Sequence, residues 1–233
     1  MMQEYFNQFG ITLTDHQKDQ FIQYYNLLIE WNSVMNLTAI TDFDEVCEKH
    51  FADSVSLVKA VDSSTCGNLI DVGTGAGFPG IPLKIVFPHL KVTLLDSLNK
   101  RVNFLNEVIK KLQLEDVMAI HGRAEASARD PAYRENYDIC VSRAVANMST
   151  LSEYCLPFVK EGGYFVPYKS QKGLEEIGEA AKAISILGGK YQKKVEFHLG
   201  EEEYRVLFLI DKVKATPKKY PRKVGLPAKE PIG

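Results

Sequence analysis

Apolar residues recur with a helical period over the first sixty positions and in short blocks beyond them. Phe21, Tyr24, Tyr25 and Leu28 fall at i, i+3, i+4 and i+7, one face of a helix. Thr14 and Gln17 ahead of them have the spacing of a capping box. A second helix is predicted to start near Thr41 or Asp42, with Asp44 and Glu45 in its first turn. Its apolar stripe would be Cys47, Phe51, Val55 and Val58. Trp31 to Leu37, between the two, reads as a turn.

From Asn68 the rhythm changes to strands alternating with helices. Leu69–Val72, Val92–Asp96, Val117–His121, Tyr137–Ser142 and Tyr164–Lys169 are the predicted strands. A helix with Val102, Leu105, Ile109 and Leu112 on one face lies among them, and Glu175 to Leu187 reads as another. Val195–Leu199 and Tyr204–Ile210, joined by a short acidic loop, read as a hairpin. This order predicts an α/β fold: a mostly parallel sheet covered on both faces, with one antiparallel strand from the terminal hairpin. The boundaries expected are a helical extension over 1–61 packed on the core, a sheet domain over 62–212 and a basic, proline-containing tail over 213–233.

Composition narrows the class. Hydrophobic residues make up 45% and charged residues 25%, ordinary for a globular protein. No apolar run approaches the roughly 18 residues of a membrane helix. Met1 to Gly10 has neither a basic n-region nor an apolar h-region, so a cytoplasmic protein without a secretory signal is expected. Cys47, Cys66, Cys140 and Cys155 form no CxxC pair and read as buried free thiols; no metal site is expected. The net charge of -2 hides an asymmetry: Lys212 to Gly233 holds seven Lys/Arg and one Asp/Glu, a balance of +6, leaving -8 elsewhere. A basic tail on an acidic body suggests a polyanionic partner. Pro217, Pro221, Pro227 and Pro231 exclude a continuous helix there and would hold the segment extended, its charges displayed without a packed core behind them.

The most informative segment is Leu69-Ile70-Asp71-Val72-Gly73-Thr74-Gly75-Ala76-Gly77-Phe78-Pro79-Gly80. Glycines after a strand let the backbone turn tightly and approach a nucleotide-like ligand, which the N–H groups of the next helix can meet. Gly75-x-Gly77-x-x-Gly80 also fits a dinucleotide fingerprint, with Asp96 at about the right distance. Asp71 argues instead for S-adenosylmethionine: its charge repels a pyrophosphate and attracts a cationic amino group. Pro79 also lacks the N–H a pyrophosphate would use. Asp96, ending the next strand, suits two ribose hydroxyls. His121-Gly122-Arg123-Ala124-Glu125, ending the third strand, is where an adenine would lie.

The chain resembles a known family over nearly its whole length. Asp71 to Leu83 is similar to the signature of the ribosomal RNA small-subunit methyltransferase G family, also called glucose-inhibited division protein B. Trp31-Asn32 with Asn36-Leu37-Thr38, Lys49-His50-Phe51 with Asp53-Ser54, Asp96-Ser97-Leu98 with Lys100-Arg101, Gly122 to Glu125, Ser142 to Ala146, and Pro221-Arg222-Lys223 with Gly225, Pro227 and Lys229 resemble its other motifs, in its order. Thr74, Ser170 and Ile232 depart from the family's usual residues without removing a group the chemistry needs. The resemblance implies a Rossmann-like S-adenosylmethionine-dependent methyltransferase sheet. It also implies methyl transfer to the N7 atom of a guanine in small-subunit (16S) ribosomal RNA, free or in a ribosomal particle. Gly73, Phe78, Ala124, Glu125 and Arg143 are the cofactor residues it carries over, with Asp96 at the ribose. No obligate protein partner is evident.

Guanine N7 already has a free lone pair on the major-groove edge and loses no proton on methylation, so no general base and no catalytic side chain are expected. Alignment of N7, methyl carbon and sulfur in a water-poor site would suffice. His50, Asp53 and Ser54 share a helical face, yet residues so close on one helix rarely form triad geometry and are expected to be structural. Lys169, Arg222, Lys223 and Lys229 are the expected RNA contacts, and Arg143 could meet cofactor, RNA or both. Two competing functions are an NAD-dependent oxidoreductase, disfavoured by Asp71, and a non-catalytic regulator that binds S-adenosylmethionine and RNA.

Overall fold

A computed structural model describes residues 2–62, 66–143, 146–200 and 203–233. Helix α1 (Met2–Asn7) precedes the long α2 (Asp15–Met35), which starts with the expected capping box: Thr14 accepts from Gln17 N, and Gln17 reaches back to Thr14 N. The stretch Trp31 to Met35, expected as a turn, is the last part of α2. No glycine or proline interrupts it, and the helix ends only where Asn36 turns left-handed (φ 51°), a conformation Asn tolerates. Asp42 caps α3 (Phe43–Val46), which runs into a π-helical turn over Cys47–Ala52, then α4 (Asp53–Val55) and a 3-10 turn over Ser56–Lys59.

The alternating part follows. Strand β1 (Asn68–Val72) leads to α5 (Gly80–Val86), β2 (Lys91–Asp96) to α6 (Asn99–Lys111), and β3 (Val117–His121) to the short α7 (Ala124–Ser127). Next come β4 (Tyr137–Arg143), α8 (Met148–Cys155), β5 (Val159–Lys169), α9 (Gly173–Glu179), α10 (Ala181–Ile186), β6 (Gly189–Leu199), β7 (Glu203–Lys212) and α11 (Leu226–Lys229). The predicted Glu175–Leu187 helix is two helices that meet at Ala180. Strand β5 begins earlier than expected, because Gly162 and Gly163 sit inside the strand, where its pairing with β4 shifts register. Ala144, Val145, Glu201 and Glu202, which fall in expected motifs or loops, lie outside the described residues.

The sheet order is β3-β2-β1-β4-β5-β7-β6, with β7 antiparallel to both neighbours. Alternation along each strand builds two cores. Leu69, Leu94, Val141, Val166 and Leu207 face one; Ile70, Leu95, Cys140, Phe165 and Phe208 face the other. The N-terminal helices cover the first face: Phe6, Phe21, Tyr24, Leu28, Phe51 and Val55 share its core with Ile81 and Leu105. Helices α8 and α10 cover the second with Met148, Leu151, Ala183 and Ile184. All four cysteines are buried free thiols. No helix among the described residues is long and apolar enough to cross a membrane.

Strand order reverses between β1 and β4, so the chain departs in opposite directions from adjacent carboxyl ends. A crevice opens there, the usual ligand position in such sheets. The tail differs from the expected extended, unsupported segment. Arg129 Nη2 donates to the Pro221 carbonyl (2.6 Å), and Arg134 donates to the carbonyls of Tyr220 (2.9 Å) and Thr216 (2.8 Å). Thr216, Pro221, Pro227 and Ile232 are buried. Backbone carbonyls gripped by arginines fix the part of the tail ahead of α11 on the body.

Candidate active site

The loop after β1 rests on a buried carboxylate. Asp71 is fully buried, and its Oδ2 accepts from Thr74 Oγ1 (2.7 Å) and Gly80 N (2.8 Å). Tyr24, reaching from α2, donates its hydroxyl to the Ala76 carbonyl. Gly77 has φ 100°, and a Cβ there would stand 2.6 Å from Tyr24 Oη and 2.7 Å from Ile81 Cγ1. Gly75 is also left-handed (φ 61°), but a Cβ there would meet nothing within 4 Å. Its backbone therefore faces open space, where a ligand can approach.

Asp96, at the end of β2, is 2% exposed and faces the same loop: its Oδ2 accepts from Gly75 N (2.9 Å), its Oδ1 from Leu98 N (2.9 Å), and Arg101 Nη1 lies 3.4 Å away. Val72, Gly73, Leu95, Ser97, Ala124 and Glu125 line a small cleft of about 80 Å³ beside it. Asp71, Gly73, Gly75, Asp96, Ala124 and Glu125 are thus gathered at the ends of three neighbouring strands. Asp71 Oδ1 is buried without a hydrogen-bond partner among the described residues. An orphaned carboxylate oxygen under a glycine loop fits a ligand that carries a cationic amino group.

Burial pushes the Asp71 carboxyl up to about 7, against the Thr74 and Gly80 hydrogen bonds and the Arg143 charge, which favour the anion. A bound ammonium group also favours the anion, so binding should release a proton below that value. Affinity for S-adenosylmethionine is therefore expected to rise with pH, by up to about tenfold per unit, and to level off near pH 7. It should decline again near 8, where the ligand's own α-amino group loses its proton, at roughly 7.7–8.0. Titration calorimetry from pH 5.5 to 8.5 checks this, and Asp71→Asn should flatten the rising limb.

Phe78, in the glycine loop, packs against two residues that line a second, larger cleft. His50 stacks on its ring (centroids 4.6 Å apart, 25° between planes) and the Arg143 guanidinium lies 5.0 Å from the ring centre. Arg143 Nη1 donates to Asp53 Oδ2 (2.8 Å), and Arg205 Nε lies 3.3 Å from Asp53 Oδ1, within ion-pair range but outside hydrogen-bond geometry. His50 Nε2 is 2.7 Å from Thr38 Oγ1. Burial and the Arg143 charge press the imidazole down to about 3, so it is neutral at physiological pH. Its Nδ1 has the Lys49 carbonyl 3.2 Å away and Arg143 Nη2 3.4 Å away, so the ring is held from both nitrogens. Ile40, Lys49, Tyr168, Lys169, Ser170, Lys172, Glu176 and Glu203 complete this cleft of about 500 Å³.

Two expected RNA contacts are engaged within the protein. Lys169 Nζ pairs with Glu176 (2.8 Å) and donates to the Ala146 carbonyl. Arg222, also expected to meet an RNA phosphate, is paired with the fully buried Glu153: its Nη2 is 2.7 Å from Glu153 Oε2 and its Nε 3.0 Å from Oε1. Lys223 and Lys229 are exposed on the tail. His50, Asp53 and Ser54 form no triad; Ser54 Oγ donates to the His50 carbonyl. Reading the sequence alone does not single out Tyr24, Tyr168, Arg205 or Glu153 as site residues. Their partners lie far away in sequence, and only the family motif marks Thr38.

Residues 17–205 match the family described as rRNA small subunit methyltransferase G. Over 224 residues, 96% of this chain and 93% of the relative, it is 58% identical to the ribosomal RNA small subunit methyltransferase G of Lachnoclostridium phytofermentans. It is 54% identical to that of Staphylococcus aureus over 230 residues, 98% and 96% of the two chains. A SAM-dependent methyltransferase from Aquifex aeolicus shares the fold, with a TM-score of 0.54 at 19% identity over 75% of this chain and 96% of that one. The glycine loop on Asp71, the facing Asp96 and the adjoining cleft thus belong to a chain that aligns over 96–98% of its length with the two methyltransferase G relatives, and it is a member of the rRNA small subunit methyltransferase G family.

Proposed function

We propose that this chain transfers the methyl group of S-adenosylmethionine to N7 of a guanine in small-subunit ribosomal RNA, in the cytoplasm. Family membership makes it an S-adenosylmethionine-dependent methyltransferase. The observation that carries the choice of substrate is the cleft beyond Phe78. Two of its lining residues, His50 and Arg143, pack on Phe78 of the glycine loop, and Lys49, Arg143, Lys169, Lys172 and Arg205 line it against Asp53, Glu176 and Glu203, a cationic excess suited to a phosphate-bearing chain. When bound, the cofactor supplies a sulfonium-activated methyl group.

The protein's own work is then positional. Asp71 meets the amino end of the cofactor, Asp96 the ribose, and Ala124 and Glu125 the base, while Gly73, Gly75 and Gly77 let the backbone close on it. Arg143 and His50, fixed against Phe78, hold the glycine loop and the wall of the larger cleft in one arrangement, in which N7 must be aligned. N7 needs no base to receive a methyl group, and His50, neutral, is not called on to move a proton. Lys169 and the tail lysines Lys223 and Lys229 meet RNA phosphates.

Small-subunit particles and naked ribosomal RNA incubated with labelled S-adenosylmethionine test the proposal. One methyl group at a guanine N7 is expected; transfer to another base or another atom would contradict it. Lys223→Ala with Lys229→Ala should lower the log–log salt slope of RNA binding by roughly 1.4–1.8, counting about 0.7–0.9 for each lost phosphate contact. Cofactor affinity should stay unchanged in that variant. An unaltered slope would remove the tail from the RNA interface.

A further inference from the structure

Glu153 is fully buried in α8, lines neither cleft, and the methyl-transfer chemistry makes no use of it. A carboxylate in such a place is costly unless charge and hydrogen bonds answer it. Arg222 supplies both. Its backbone N–H donates to Glu153 Oε1 (2.7 Å), its Nε lies 3.0 Å from Oε1 and 3.1 Å from Oε2, and its Nη2 lies 2.7 Å from Oε2. The same Nη2 also donates to the Glu230 carbonyl (2.8 Å), so the fork binds both ends of the short segment that contains α11. Thr150, also on α8, donates its hydroxyl to the Pro227 carbonyl between them (3.0 Å).

The segment clamped in this way reaches the small cleft through a hydrogen bond to Glu125. Gly225, in the left-handed region (φ 82°), turns its N–H onto Glu125 Oε1 at 2.8 Å. Glu125 is 4% exposed and lines the cleft with Ala124 and with Tyr154, the residue after Glu153. From this geometry we infer that Glu153 is a positioning residue for the cofactor: through Arg222 and Gly225 it sets the place of the Glu125 carboxylate. The inference rests on the reading of Glu125 as part of the cofactor pocket.

A double-mutant cycle on the full chain, read by S-adenosylmethionine titration, separates this role from mere stabilisation. Glu153→Gln should raise Kd by roughly tenfold, about the worth of one misplaced hydrogen-bonding carboxylate. In a Glu125→Ala background the same change should add less than about twofold, since the group it positions is gone. Arg222→Lys, which keeps the charge but loses the fork, should show a smaller loss that also vanishes in that background; it carries the test if Glu153→Gln does not fold. An equal loss with and without Glu125 would overturn the inference and leave Glu153 a stabilising residue only. Wild-type affinity in Glu153→Gln, with Glu125→Ala weakened, would overturn it as well. Wild-type affinity in Glu125→Ala would overturn both the pocket reading and the inference built on it.

Discussion

Asp96→Ala is expected to weaken S-adenosylmethionine binding by at least about 1.5–3 kcal/mol, a Kd increase of roughly 10- to 150-fold. The carboxylate is 2% exposed at the carboxyl end of β2, a strand buried from Val92 onward, and it is aimed by Gly75 N and Leu98 N rather than by solvent. Its loss removes an anchor of the glycine loop and, on the proposed assignment, the acceptors for the ribose, so both effects act in the same direction. Arg101, half-exposed and 3.4 Å from the carboxylate, serves as the control. Arg101→Ala should change Kd only slightly, because partly exposed ion pairs contribute little. Titration calorimetry on variants with native circular dichroism decides the matter. Unchanged affinity in a folded Asp96→Ala protein would refute the ribose assignment.

Asp53→Ala should cost stability more than any other single change at the site, about 3–5 kcal/mol. The carboxylate is 2% exposed and lies between Arg143, 2.8 Å away, and Arg205, 3.3 Å away. Without it, two half-buried guanidinium groups face each other with no anion between them. At roughly 2–4 °C per kcal/mol for a chain of this size, Tm should fall by about 6–20 °C. Methyl transfer should drop further than folding alone explains, because Arg143 loses the contact that fixes it beside Phe78. Asp53→Asn, which keeps one hydrogen-bond acceptor, should fall between. A Tm within a degree or two of the parent would show that the arginines find other partners.

These two residues mark what the sequence reveals and what it conceals. Asp96 is legible because the apolar strand that follows the glycine loop and its helix ends on it. The division of Leu69 from Ile70 and of Leu94 from Leu95 between two cores follows from the alternation along each strand. Asp53 sits among apolar neighbours on an irregular helical stretch, and its arginines come from β4 and β7. Nothing local marks a pair separated by 90 residues. The tail is concealed for another reason. Arg129 and Arg134 bind backbone carbonyls, acceptors that every residue offers, so neither charge nor pattern identifies their partners. Its prolines suggest an extended, solvated end; its charge count does not reveal that Lys212 and Arg222 are bound to Glu135 and Glu153. Trp31 to Leu37 reads as a turn because it lies between two predicted helices; with no glycine or proline in the stretch, α2 runs on to Met35.

The central claim is that this chain places a methyl group on N7 of one guanine in small-subunit ribosomal RNA. Mass mapping of modified guanines in that RNA, from cells with the protein, without it, and with the Asp96→Ala variant, tests it most directly. The account expects one 7-methylguanine that disappears when the protein is removed and is strongly reduced with Asp96→Ala. An unchanged set of 7-methylguanines in cells lacking the protein, or the loss of a methyl group at a different base or atom, would contradict it.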